Sequence, residues 1–165
     1  MSTLMALAEQ IEASSMGVAI AESRYAYPII EGIHLVGLSI SIGLIFLTDL
    51  RLMNVFLKRV PLQDMLRHLR PYVIGGFVAV FVSGGLLFWS AAARMLESPA
   101  FIAKMLFMVL ACINALYFEF VIAQREPVKQ SHSVVPSSVR YAGFASLSLW
   151  TLVVVCGRLI PYLPS

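Results

Sequence analysis

The sequence predicts an all-α integral membrane protein, a four-helix bundle with an N-terminal amphipathic helix lying in the membrane interface. Its 165 residues are 59% hydrophobic and only 13% charged, and the mean hydropathy is +0.85. Soluble domains carry about 25% charged and about 45–50% apolar residues. Four long apolar stretches are the second observation, and the complete lack of charged residues over 71–93 is the third. This composition excludes a soluble domain, and a net charge of +3 is too small for a nucleic-acid-binding surface.

Four stretches are long enough to cross a bilayer, which takes roughly 20 mostly apolar residues in a helix. They cover about 28–50, 71–93, 99–123 and 141–162. None of them alternates apolar and polar residues as the strands of a membrane barrel do, so helices are predicted. We therefore expect residues 1–165 to form a single transmembrane domain.

The segment 1–27 precedes the first span and is predicted to lie on the membrane surface. Leu4, Leu7 and Ile11 fall on one face of a helix, the pattern of an interfacial amphipathic helix. Ser14 or Ser15 is of the type that caps a helix N-terminus, which predicts a second short helix ending near Glu22.

The charges of the connecting loops predict how the bundle is oriented. Cytoplasmic loops are enriched in Lys and Arg. The connections between spans one and two and between spans three and four hold eight such residues: Arg51, Lys58, Arg59, Arg67, Arg70, Arg125, Lys129 and Arg140. We therefore expect these connections in the cytoplasm and both termini in the periplasm, in the inner membrane of a bacterium.

Several polar side chains are predicted to meet at one level, below the membrane surface on the side of the termini. His34 lies roughly 9 Å into the first span, at 1.5 Å per residue, and Lys104 lies at nearly the same depth in the third. Trp89 and Arg158 return to this level at the ends of spans two and four, and Arg94 lies just above it. Ionisable groups inside a membrane are costly and commonly functional.

This combination of side chains suits a haem. Histidine is a common axial ligand of haem iron, and the amine of Lys104 offers a second nitrogen. His34 and Lys104 are therefore the candidate metal ligands. Arg158 and Arg94 are candidates for the propionates, because guanidinium groups bind carboxylates bidentately, and Trp89 is a candidate for contact with the cofactor.

A structural interpretation of the same residues stays open. His34 is then a core histidine bonded to Glu31, and Lys104 extends its amine to the membrane surface. Trp89 and Arg158 act as interfacial anchors.

Two further patterns concern helix packing and the cytoplasmic end. Small residues share one face of each of the first two spans and predict close helix contact; they are Gly37 and Ser41 in the first and Gly76, Ala79 and Ser83 in the second. Near the end of the first span, we expect Arg51 to form a salt bridge with Asp49 or Glu119.

Four segments resemble an uncharacterised bacterial family of small four-helix membrane proteins: Tyr27–Gly37, Leu47–Leu52, Ser98–Lys104 and Gly157–Ile160. More distantly, the layout is similar to the four-helix membrane protoporphyrinogen oxidases of haem synthesis and to copper-resistance D-like proteins. In those oxidases a first-helix His and a later-helix Lys form the essential pair associated with haem b. The resemblance therefore implies haem b at His34 and Lys104.

Two functions follow as hypotheses. The first is a haem b protein with an electron-transfer or oxidoreductase role near the outer leaflet, exchanging electrons with a quinone or a porphyrin. The second is a non-enzymatic accessory subunit that stabilises a larger membrane complex or a homo-oligomer. The sequence leaves open whether the protein is an enzyme, and it predicts no nucleic-acid partner.

Overall fold

A computed structural model describes residues 3–122 and 136–163. The helices are α1 (Thr3–Glu12), α2 (Ser15–Glu22), α3 (Ala26–Leu52), α4 (Leu62–Trp89), α5 (Ala92–Glu97), α6 (Pro99–Tyr117) and α7 (Ser137–Leu159), and a π-helical turn, Phe118–Ile122, extends α6. The described residues contain no strand, which confirms the predicted all-α class. The helices α3, α4, α6 with its π-turn, and α7 are long and apolar enough to cross a membrane.

The span boundaries differ most from the sequence prediction in α4. This helix begins at Leu62, well before the predicted start near Pro71, and Pro71 lies inside it. The first turns of α4 are polar, so hydropathy alone does not detect them. The helix ends at Trp89 because the chain turns through Ser90 and Ala91 into the short helix α5.

The predicted N-terminal segment forms two helices, α1 and α2, separated by a turn. Ser14 caps α2 by accepting a hydrogen bond from the Gly17 amide at 3.3 Å, as its residue type predicts. Glu12 accepts a hydrogen bond from the amide of Ala93 at 2.9 Å, which ties α1 to α5. Leu4 and Leu7 are exposed, so the bundle leaves this apolar face uncovered.

The four long helices pack as two pairs. α3 packs mainly against α4, α6 packs mainly against α7, and α3 contacts α7 to join the pairs. α4 and α6 make few contacts with each other, and one of these is the stacking of Phe88 on Phe101 at the ends near the termini, with the ring centroids 5.7 Å apart. The bundle therefore has one open side, between α4 and α6.

The pair α3–α4 approaches closely along the predicted small residues. A Cβ added to Gly37 would lie 3.1 Å from Val80 Cγ2 and 3.3 Å from the Gly76 carbonyl oxygen. A Cβ on Gly76 would collide with the hydroxyl of Ser41, a fully buried residue. The predicted packing face of these two helices is confirmed.

The bundle has two ends. The terminal end is where α3 and α6 begin and where α4 and α7 end, and it includes His34 and Lys104. The loop end is where α3 ends and α7 begins, and it includes Asp49 and Arg51.

Candidate functional site

His34 is held at the terminal end by hydrogen bonds from one side of its ring. Its Nδ1 lies 3.1 Å from the Val80 carbonyl oxygen and 3.0 Å from Ser83 Oγ, both on α4. The Ser83 hydroxyl is itself bonded to the Ala79 carbonyl oxygen at 2.5 Å. Spacings of three and seven residues place His34, Gly37 and Ser41 on one helix face, so the imidazole belongs to the close α3–α4 contact.

These bonds define which ring nitrogen carries the proton. The Val80 carbonyl can only accept, and the Ser83 hydroxyl already donates to Ala79, so Nδ1–H of His34 is the donor to both. In the neutral ring Nε2 then carries the lone pair. Metal-ligating histidines show this arrangement, in which the second ring N–H bonds to a backbone carbonyl and fixes the tautomer and orientation.

A glycine on α4 makes room for the His34 ring. A Cβ added to Gly84 would lie 3.0 Å from His34 Cε1 and 3.4 Å from Nδ1. Gly85 has no atom within 4 Å of its corresponding position. Sequence reasoning did not identify Ser83 and Gly84 as partners of His34. The shared small-residue face was the available signal.

Lys104 lies near the start of α6, at the terminal end of the bundle. Its stem lies over Gly157 on α7, with Cδ and Cε each 3.7 Å from the position of a Gly157 Cβ. Lys104 forms no ion pair with a residue of the described ranges. The structure therefore gathers the predicted imidazole and amine at one end of the bundle.

The other three predicted site residues lie further out. Arg94 on α5 and Arg158 on α7 are exposed. Trp89 is 41% exposed, and its indole N–H donates to Ser14 Oγ at 2.9 Å. This bond ties the end of α4 to the N-terminal helices.

These contacts bear on the structural interpretation of His34, in which it is a core histidine bonded to Glu31. Its ring hydrogen-bonds to Val80 and Ser83, so the expected bond to Glu31 is wrong. Within residues 3–122 and 136–163, no group of three or more His, Cys, Asp or Glu side chains is arranged to hold a metal ion.

At the loop end, the predicted salt bridge of Arg51 with Asp49 or Glu119 is wrong. Glu119 pairs with Arg70 of α4 instead. Arg51 is 1% exposed and donates from Nε to the Val60 carbonyl oxygen at 2.9 Å, so it anchors the α3–α4 loop. Asp49 lies two residues away on a helix, and side chains at that spacing do not face each other.

The fold and this site define a class: a helical, multi-pass membrane protein with a histidine and a lysine gathered at one end of its bundle. The chain belongs to a family of unknown function, DUF6644, whose model matches residues 9–163. Neither a curated protein nor a solved structure matches the chain.

Proposed function

We propose that the protein binds haem b at the terminal end and transfers electrons in the membrane, with His34 as the axial ligand. The observation that carries this proposal is the double hydrogen bond of His34 Nδ1 to Val80 and Ser83. It leaves Nε2 as the free nitrogen of a fixed ring, and an outer-shell contact of this kind orients metal ligands.

The set of available donors favours a haem over a bare ion. Structural zinc sites take four protein ligands and catalytic zinc sites take three. No cluster of three His, Cys, Asp or Glu side chains exists in the described ranges. A porphyrin supplies its own equatorial nitrogens, so one or two axial ligands from the protein suffice. His34, with Lys104 as the second nitrogen, meets that smaller requirement.

The remaining residues have roles that follow from where they lie. Arg94 and Arg158 are exposed cations at the terminal end, suited to carboxylate groups at the membrane surface. Trp89 closes this end by its bond to Ser14 and would contact the cofactor through its ring. With the orientation predicted from loop charges, the haem faces the periplasmic side of a bacterial inner membrane.

Bound haem would supply reversible electron transfer, and the chain would supply ligand, orientation and an apolar surrounding. We infer that the partner in the membrane is a quinone or a porphyrin, since both enter from the lipid phase.

The absorption spectrum of the full-length protein tests this proposal. Protein purified in detergent from haem-replete cells is expected to show a Soret band that shifts on reduction with dithionite. A folded preparation that lacks this band, and that takes up no added haemin, contradicts the proposal.

Gly84→Val is expected to lower the affinity for haem by about 10–100-fold, the usual cost of losing an outer-shell partner. The new side chain begins 3.0 Å from His34 Cε1, so the ring must leave its position beside Ser83. The measurement is a haemin titration of the purified variant.

Gly85→Val is the matched control, because the same side chain enters open space one residue further along α4. Its affinity for haem is expected to equal that of the native protein. Equal losses in the two variants would show that His34 is not held by this contact.

A second candidate function, an accessory subunit, is favoured by the outer face of α3 and α4. An apolar groove of about 600 Å³ there is floored by Gly32, Gly37, Gly75 and Gly76. Small residues let a neighbouring membrane helix approach closely, so a second subunit or another copy of the chain would pack there. A colourless protein that co-purifies with other subunits from mild detergent supports this function.

A further inference from the structure

The open side of the bundle forms a lateral cleft between α4 and α6 that reaches the loop end. The cleft has a volume of about 400 Å³, within the range of about 300–1,000 Å³ typical of small-molecule sites. On α4 it is bordered by Ile74, Val78 and Phe81, which are exposed along the outside of the bundle. A molecule dissolved in the membrane therefore has a sideways entrance.

Aromatic rings form the inner wall of the lateral cleft. The Phe77 ring lies 5.1 Å from that of Trp150 and 6.1 Å from that of Phe81, measured between centroids. All three residues line the cleft. Such offset and tilted contacts are favourable between aromatic rings, and the wall offers the same surface to a planar ring in the ligand.

The polar lining of the lateral cleft is small and includes an unused acceptor. Asp49, Asn114 and Ser146 all line it. Asn114 is anchored by a bond from Nδ2 to the Ala142 carbonyl oxygen at 3.1 Å. Asp49 is 3% exposed, and its Oδ2 has no hydrogen-bond partner among the described residues.

A buried polar atom without a partner is costly, and more so at membrane depth. The neighbouring charged side chains do not supply the missing hydrogen bond to Asp49. Arg51 donates to the Val60 carbonyl oxygen, and its Nη1 also has no hydrogen-bond partner within the part of the chain that the structure describes. Arg70 and Glu119 pair with each other at the edge of the cleft. A ligand that donates a hydrogen bond to the Asp49 carboxylate from the cleft would lower this cost.

We propose that the lateral cleft binds the head group of a lipid-soluble quinol, whose hydroxyl donates a hydrogen bond to the Asp49 carboxylate. The aromatic wall contacts the ring, and the hydrocarbon tail leaves through the opening between α4 and α6. A quinol fits better than a phospholipid because Arg70 and Glu119, the charged residues at the edge of the cleft, pair with each other, and the inner wall is aromatic. This site lies at the loop end and does not depend on the haem.

Asp49→Asn tests the role of the carboxylate without changing the volume of the side chain. Calorimetric titration of the full-length protein with decylubiquinol, kept reduced under anaerobic conditions, is expected to show at least about tenfold weaker binding in this variant. Decylubiquinone, whose carbonyls accept hydrogen bonds, is expected to bind the variant no more weakly than it binds the native protein. Equal quinol affinities in variant and native protein would overturn the proposal.

Two further variants keep the test decisive if Asp49→Asn fails to fold. Ala115→Phe fills the cleft from an exposed position on α6, and it is expected to abolish binding of both forms. Ser41→Ala removes a buried hydroxyl that also has no partner among residues 3–122 and 136–163 and that lies outside the cleft, and it leaves binding unchanged. A native protein that binds neither form, or Ala115→Phe protein that binds normally, contradicts the inference.

The same titration with His34→Ala protein separates this site from the proposed haem site. Quinol binding is expected to persist there at native affinity. Loss of quinol binding in His34→Ala would place the ligand at the terminal end and overturn the assignment to the lateral cleft.

Discussion

His34→Ala protein is expected to lose the Soret band that the native protein shows. Nε2 of His34 is the one ring nitrogen that the α3–α4 contact leaves unused, and alanine offers no ligand in its place. Losing an outer-shell partner alone costs about 10–100-fold in metal affinity, so loss of the ligand should cost at least about 100-fold. Haemin titration followed at the Soret wavelength measures the change.

His68→Ala is the matched control for this prediction. His68 is an exposed histidine on α4, with Nδ1 2.7 Å from the Asp64 carbonyl oxygen. It has the same chemistry as His34 and lies outside the terminal end. His68→Ala is expected to leave the spectrum unchanged. A Soret band that is retained in His34→Ala and lost in His68→Ala would show that His68 is the ligand and would contradict the proposed site at the terminal end.

The placement of His34 and Lys104 at the same end of the bundle could be predicted from the sequence because helix rise and span limits are regular. The residues of α4 that contact His34 could not be predicted. The small residues identify the faces of α3 and α4 that meet, but the register between two helices depends on how all their side chains interlock. That register alone puts Ser83 and Gly84 beside the imidazole.

At the loop end, too, the sequence did not predict which side chains become partners. The expected partners of Arg51 were chosen by proximity in sequence and by depth, yet its side chain turns to the Val60 carbonyl. Glu119 lies on the π-helical turn, which shifts the direction of its side chain relative to a regular α-helix. It therefore reaches Arg70 across the open side of the bundle. The lateral cleft follows from the spacing of α4 and α6, which no periodicity in either helix encodes.

Gly76→Val is expected to destabilise the bundle by about 3 kcal/mol, the upper part of the usual range for overpacking. The added Cβ would collide with the hydroxyl of Ser41 and lie 3.3 Å from the Gly37 carbonyl oxygen. Rotation of the Ser41 hydroxyl does not relieve the contact, because Ser41 Cβ lies 3.4 Å from the added Cβ, the Gly37 oxygen belongs to the backbone, and valine adds two further methyl groups. The helices must separate, and the contact that positions His34 is lost with them. Unfolding by sodium dodecyl sulfate in mixed micelles, followed by circular dichroism, measures the free energy of unfolding.

Gly75→Val supplies the comparison, since the same change one residue earlier meets no atom within 4 Å. Valine also has a higher helix propensity than glycine, so its unfolding free energy should stay equal or rise slightly. A pair of variants with the same stability would mean that α3 and α4 do not cross at Gly76. The packing that holds His34 against Ser83 would then have to be different, and the case for a preoriented ligand at the terminal end would fail with it.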